Sequence, residues 1–208
     1  MTLELAAGET VMLVVELQND LVHESLAGGE GLSGKLAEAV RERKVLPKLR
    51  EVLDACRARG VPVLYATKER HPSIPQPATA PLYRFGSKRP GFLRTGTWGA
   101  QVVDEIAPQP GDVVLARFTS IDPSHGSELW AILERTGART LVVAGVSTTM
   151  AVEGTVRGAA NRGFRVVVVE DCCASVPEEW HRFSADNVLP LLADVVCAAE
   201  VLEALRAS

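Results

Sequence analysis

A glutamate set inside an apolar run is the first feature of this sequence that chemistry must account for. Val11-Met-Leu-Val-Val-Glu16-Leu-Gln-Asn-Asp20 places Glu16 between Val15 and Leu17. A carboxylate there is costly to bury unless it is paired. Burial or a neighbouring charge would tune it for acid–base work, and a structural ion pair is the plainer alternative. Arg117, in Leu115-Ala-Arg-Phe118, is the matching cation. A guanidinium keeps its proton and presents a planar fork, so Arg117 would hold Glu16 or clamp a substrate carboxylate; proton transfer is the wrong role for it. The third element is Leu141-Val-Val-Ala-Gly-Val-Ser-Thr-Thr-Met-Ala151, an apolar run followed by a glycine, three hydroxyls and a helical pattern. The first turn of a helix offers unpaired N–H groups that favour negative charge, and Ala151 stands in it.

Ser147, Thr148 and Thr149 are candidate substrate contacts. No histidine neighbours them in sequence to act as a base, so they read as turn and cap residues rather than nucleophiles. Gln18, close to Glu16, and His125, in Ser120-Ile-Asp-Pro-Ser-His-Gly126, complete the candidate substrate-binding set; a plain loop histidine is the competing reading of His125. Lys68-Glu-Arg-His71 offers one acid and one histidine, a poor ligand set. No metal and no other cofactor is expected. Cys172 and Cys173 follow a strand pattern and could approach the site from the side, but buried inert thiols are the commoner state.

Short valine-rich runs must position these residues. They are 11–17, 62–67, 112–116, 140–144, 165–169 and 194–198. Apolar runs without alternation suggest strands buried on both faces, as in a parallel sheet. Helical patterns lie between them: 36–59 ending at Gly60, 128–135 ending at Gly137, 150–162 ending at Gly163, then 177–192 and 200–206. This alternation predicts a three-layer α/β/α sandwich. Such sheets bind ligands outside the carboxyl ends of their strands, where Glu16, Thr67, Arg117 and the 147–151 turn all fall. His71–Pro81 holds four prolines in eleven residues and is read as an irregular loop, either over the pocket or a solvated connector.

A chain of 208 residues suffices for one domain, taken as 1–208. Hydrophobic residues make up 47%, which suits a folded core. A net charge of −4 gives no basic stripe for nucleic acid. No apolar run is long enough to span a bilayer, and the acidic first ten residues are unlike a signal peptide. Four cysteines without CxxC spacing suggest a reducing, cytoplasmic setting.

The 141–155 segment resembles the signature of the isochorismatase-like cysteine hydrolases, GVxTxxCVxxT, with Gly145, Val146, Thr148, Val152 and Thr155 in place. The resemblance runs along most of the chain. Val11–Asp20 is similar to the family's opening strand VIDMQND. Gly96-Thr-Trp-Gly-Ala100, Pro108–Val114 and Gly163–Asp171 with Ala174-Ser175 match further segments. It implies a six-stranded, mainly parallel, Rossmann-type sheet of order 3-2-1-4-5-6, a small-molecule substrate, and a homo-oligomer, dimer or tetramer. It also implies a non-proline cis peptide at Val146–Ser147 and an oxyanion hole from the amides at Ser147 and Ala151. The family's catalytic triad of aspartate, lysine and cysteine falls on Glu16, Arg117 and Ala151, so this chain departs from it at all three positions. A methyl group cannot attack a carbonyl. Two functions compete. One is a cysteine-independent hydrolase with Glu16 as general acid or base, Arg117 electrostatic and the turn as anion site. The other is an inactive relic that binds a small molecule or serves an assembly, its old site filled by a Glu16–Arg117 pair.

Overall fold

The valine-rich runs become the strands of one sheet. The computed structural model describes residues 3–75, 80–83 and 89–207. Its strands are β1 (Thr10–Val15), β2 (Val63–Lys68), β3 (Val113–Arg117), β4 (Thr140–Val146), β5 (Arg165–Ala174) and β6 (Asp194–Val196). Their order is β3-β2-β1-β4-β5-β6, and every neighbouring pair is parallel. The central strands β1 and β4 are buried along their whole length. With both faces covered, neither has a reason to alternate polar with apolar residues.

Helices cover both faces of the sheet: α1 (Gly31–Glu42), α2 (Val45–Ala58), α3 (Leu129–Arg135), α4 (Glu153–Ala160), α5 (Glu178–Phe183) and α6 (Ala198–Ala207). α2 turns Val45, Leu49, Val52, Leu53 and Cys56 into the core at helical spacing. The single helix expected over 36–59 is two. Lys44 adopts a left-handed backbone with φ of 54° and breaks the run. Pro47 then falls in the first turn of α2, where a missing N–H deprives no intrahelical acceptor. The break leaves Arg43 at the end of α1, free to turn toward β5.

Two local departures bear on the site. β1 stops at Val15 instead of Leu17, because Glu16 has a φ of 52°. That conformation is uncommon for a residue with a Cβ and bends the chain out of the strand. The bend is pinned by Glu16 N–H donating to the Ala66 carbonyl (3.0 Å) and Gln18 N–H donating to the Glu16 carbonyl (2.9 Å). β5 runs on to Ala174, five residues beyond the expected end. A register shift between Val143 and Gly145 lets Gly145 pair with Cys173 and Val146 with Ala174. Gly145 has a φ of 128°, and a Cβ there would lie 2.1 Å from the Val15 carbonyl oxygen, so only glycine fits.

The stretch from His71 to Pro75 is irregular. The expected loop falls partly on residues 76–79, which lie outside the described residues. Among the described residues no helix is long and apolar enough to cross a membrane.

Candidate active site

Glu16 and Arg117 meet. Both stand at the carboxyl ends of their strands, with β2 between β1 and β3. The Arg117 Nη2 group donates to Glu16 Oε1 in a direct ion pair. Arg117 also donates from Nε to the Ser120 carbonyl (3.0 Å) and from Nη2 to the Ile121 carbonyl (2.9 Å). Its side chain is 5% exposed and that of Glu16 15%. Burial pushes the guanidinium down to about 10, opposed by the nearby Asp122 carboxylate, so it stays charged at neutral pH. One group of this arginine is left over: among the described residues, Nη1 is buried and has no hydrogen-bond partner. A buried donor without a partner is costly; Thr67 Oγ1, near the end of the neighbouring β2, is in the same state.

Asp122 is a site residue that the sequence reading passed over. Its Oδ1 accepts from Ser124 N–H (2.8 Å) and Ser124 Oγ–H (2.7 Å). Its side chain packs at Gly154, in the first turn of α4. The loop that holds Arg117 is thereby seated against the helix that follows the 147–151 turn. Lys68 was likewise passed over. It ends β2 in register with Arg117, and its Nζ donates to the Phe118 (2.9 Å) and Ser120 (3.4 Å) carbonyls. Lys68 and Arg117 therefore grip one carbonyl oxygen, that of Ser120. Burial, with the charge of Arg70, lowers the Lys68 amine to about 8. No spacing rule links residue 68 to 117; only strand pairing does.

The turn after β4 has the expected cis peptide at Val146–Ser147. Thr148–Val152 winds as a π-type turn that continues directly into α4. Such wide turns are frequent at functional sites, and a second one lies outside this group, at Ser184–Val188. The Ser147 carbonyl accepts from Met150 N–H (3.0 Å) and Val152 N–H (3.2 Å), and Thr155 Oγ1 donates to the Ala151 carbonyl (2.8 Å). Ser147 is half-buried, Ala151 is buried, and Thr149 Oγ1 lies 2.9 Å from Ser175 Oγ.

Three expected substrate contacts are corrected. Gln18 is fully buried. Its Nε2 donates to the Lys68 (2.9 Å) and Ala100 (2.7 Å) carbonyls, and its Oε1 accepts from Lys68 N–H (2.8 Å). The amide is spent on tying β1 to β2 and presents no surface to a ligand. Thr148 is also fully buried, and a histidine does reach it: Thr148 Oγ1 lies 2.8 Å from His181 Nδ1. Tertiary folding supplies the neighbour that sequence spacing lacked. Ser147 makes no side-chain cap to the following turn. His125 is an exposed loop residue whose main chain, by its bonds to Ser120 Oγ (3.1 Å) and the Asp122 carbonyl (3.2 Å), braces the loop after Arg117. Cys172 and Cys173 are buried, and burial raises both thiols, Cys173 to about 12. They are inert. No cluster that could hold a metal is found among the described residues.

A cleft of about 580 Å³ lies elsewhere, lined by Lys35, Glu38, Arg43, Glu178 and Arg182 among others. It includes none of Glu16, Arg117 or the 147–151 turn. The candidate site is placed at the strand ends, where the ion pair and, among the described residues, the unpartnered guanidinium nitrogen lie.

A parallel α/β sandwich with a charged group at its strand ends belongs to the doubly wound α/β class, whose members bind ligands outside those ends. The isochorismatase domain model matches residues 10–200, and the chain belongs to the isochorismatase family, a family of hydrolases. It is similar to "Ureidoacrylate amidohydrolase RutB" of Stutzerimonas stutzeri, 29% identical over 197 residues, covering 88% of this chain and 77% of the relative. It is also similar to "Probable inactive nicotinamidase At3g16190" of Arabidopsis thaliana, 26% identical over 176 residues, covering 83% and 84%. Among solved structures it resembles a cysteine hydrolase from Pseudomonas syringae pv. phaseolicola 1448A, with a TM-score of 0.82, 19% identity and coverage of 99% and 96%. That likeness speaks for the fold alone.

Proposed function

We propose that this chain is a hydrolase that uses water in place of a thiol, acting on a small substrate that carries a carboxylate or another acceptor for Arg117. The observation that carries this reading is the Arg117 Nη1 group, buried beside Glu16 with no partner. A site that had merely closed on itself would satisfy both guanidinium nitrogens. Held against a guanidinium, the Glu16 carboxylate is kept ionised, which leaves it the role of base and not that of acid. The volume left by the missing thiol at Ala151 then holds a water. Glu16 takes a proton from that water as its oxygen bonds to the substrate carbonyl carbon. The carbonyl oxygen becomes an oxyanion, facing the amides of the 147–151 turn. Collapse breaks the bond to the leaving nitrogen, which receives the proton from Glu16. Ureido acids suit this reading, since the RutB relative is named for a substrate of that class.

The direct Glu16–Arg117 pair and its slight exposure favour a second reading, a relic whose old site is filled; one relative is itself named as an inactive nicotinamidase. The deciding experiment is hydrolysis of ureidoacrylate, related ureido acids and nicotinamide by the parent and by Glu16→Gln. Turnover that iodoacetamide does not inhibit and that Glu16→Gln lowers at least ~100-fold supports the water mechanism. A parent with no turnover on the panel, whose melting temperature none of these compounds raises, supports the relic.

A further inference from the structure

Behind the turn lies a chain of hydrogen bonds, buried at Thr148 and His181 and partly exposed at Glu170 and Arg43, that the water mechanism does not use. Thr148 Oγ1 is 2.8 Å from His181 Nδ1, and His181 Nε2 is 2.7 Å from Glu170 Oε1. Arg43 Nη2 donates to the same Glu170 oxygen at 2.6 Å, and Arg43 Nε donates to the Cys173 carbonyl at 2.9 Å. Arg43 Nη1 donates to Glu178 at 3.1 Å. Thr148 and His181 are fully buried. The chain thus joins the 147–151 turn to α5, to the carboxyl half of β5 and to the break between α1 and α2.

The roles within it follow from the charges. The His181 hydrogen bond, and then the Arg43 charge, hold the Glu170 carboxyl down to about 2 against burial. An ionised carboxylate only accepts, so His181 Nε2 donates to it. Nδ1 accepts from the Thr148 hydroxyl when the ring is neutral and donates to the Thr148 oxygen when the ring is protonated; either way the 2.8 Å contact is a hydrogen bond.

Hydroxyl, imidazole and carboxylate in this order are the parts of a hydrolytic triad. Burial argues against that use. No surface of Thr148 is open to a substrate, and its hydroxyl is engaged with His181. The same burial suits a mechanical task, since a fully satisfied buried network fixes one geometry.

We propose that His181 and Glu170 are positioning residues, which act through the Thr148 hydroxyl to hold the 147–151 turn in the shape that stabilises an anion beside Ala151. The second half of this statement rests on the reading of the turn as an anion site; the first half does not.

Two measurements separate them. The first is amide hydrogen exchange over residues 147–152 by NMR. Thr148→Val keeps the shape and removes the hydroxyl; it is expected to speed exchange there by about tenfold or more, the loss of one buried hydrogen bond. Thr148→Ser restores the hydroxyl and is expected to restore protection. The second measurement uses a thiol as a probe of local charge. Ala151→Cys is made in a Cys197→Ser background, since Cys197 is partly exposed while Cys56, Cys172 and Cys173 are buried. Its titration is followed by NMR of Cβ-labelled cysteine against the parent, so that no reagent has to reach the buried position. The introduced thiol is expected to titrate below the ordinary ~8.5. Adding Thr148→Val or Glu170→Gln is expected to raise it by about one unit, a tenfold shift in the thiolate equilibrium, whereas Thr148→Ser leaves it low. Circular dichroism confirms that each variant is folded, and Thr148→Ser keeps the comparison usable should Thr148→Val not fold. Unchanged exchange in folded Thr148→Val overturns the positioning role. Faster exchange together with an ordinary thiol in Ala151→Cys keeps the positioning role and overturns the anion site.

Discussion

Arg117→Met measures how much of the fold hangs on the ion pair at the strand ends. Arg117 is 5% exposed and Glu16 15%. Removing the guanidinium strands a carboxylate, and the Ser120 and Ile121 carbonyls each lose a donor. Breaking a buried pair from one side costs about 3–5 kcal/mol. Glu16 keeps some contact with solvent, so the lower end, about 3 kcal/mol, is expected. For a chain of this size that is a fall in Tm of about 6–12 °C. Glu16→Gln is milder, about 1.5–3 kcal/mol, because the cation keeps both of its carbonyl partners. In the double variant no charge is stranded, so its loss should fall short of the sum of the two by at least about 1 kcal/mol. Urea unfolding of parent, single and double variants at pH 7.5 closes the cycle. Losses that add within about 0.5 kcal/mol would refute the argument, for they would mean that the two groups do not depend on each other.

Other expectations follow from the same geometry. Ala151→Cys alone should give little hydrolysis of nicotinamide, while Glu16→Asp, Arg117→Lys and Ala151→Cys together should give clearly more. Glutamate is one methylene longer than aspartate and competes with a thiol for space, so fast turnover by the single variant would contradict that account. The folded Glu170 carboxyl titrates near 2, below its ordinary 4.5. Its stabilisation is complete above pH 4.5 and is lost as pH falls toward 2. Thermal melts across that range should show a shallower decline for Glu170→Gln than for the parent; parallel curves would exclude this carboxylate as a source of the acid sensitivity. Gly145→Ala places a Cβ 2.1 Å from the Val15 carbonyl oxygen at a φ of 128°. Strain and overpacking together should cost about 2–5 kcal/mol in urea unfolding, and a neutral substitution would show that β1 and β4 can part at no cost.

The architecture was legible in the sequence because it rests on local signals. Runs such as Val142–Ala144 and Val166–Val169 are apolar without alternation, and a strand buried on both faces leaves no other choice. Glu16 stood out as a charge inside such a run; Arg117 stood out at the end of the run 112–116, whose strand β3 lies at the sheet edge and is largely exposed rather than buried on both faces. The single long helix over 36–59 failed as an expectation because periodicity carries no trace of a left-handed residue; Lys44 has no side-chain feature that announces it.

Partnership is what only the tertiary structure decided. Thr148 and His181 are 33 positions apart, Arg43 and Glu170 are 127 apart, and Gln18 and Lys68 are 50 apart. Sequence names the groups that need hydrogen bonds, but a buried donor takes whichever acceptor the packing brings to about 3 Å. Thr148 therefore read as a turn hydroxyl with no base near it until β5 and α5 carried Glu170 and His181 behind it. Gln18 read as a substrate contact until strand pairing placed the Lys68 main chain against its amide. Residue type sets what each side chain can do; the register of the sheet sets which of those capacities are already spent inside the fold and which, like Arg117 Nη1 among the described residues, are not.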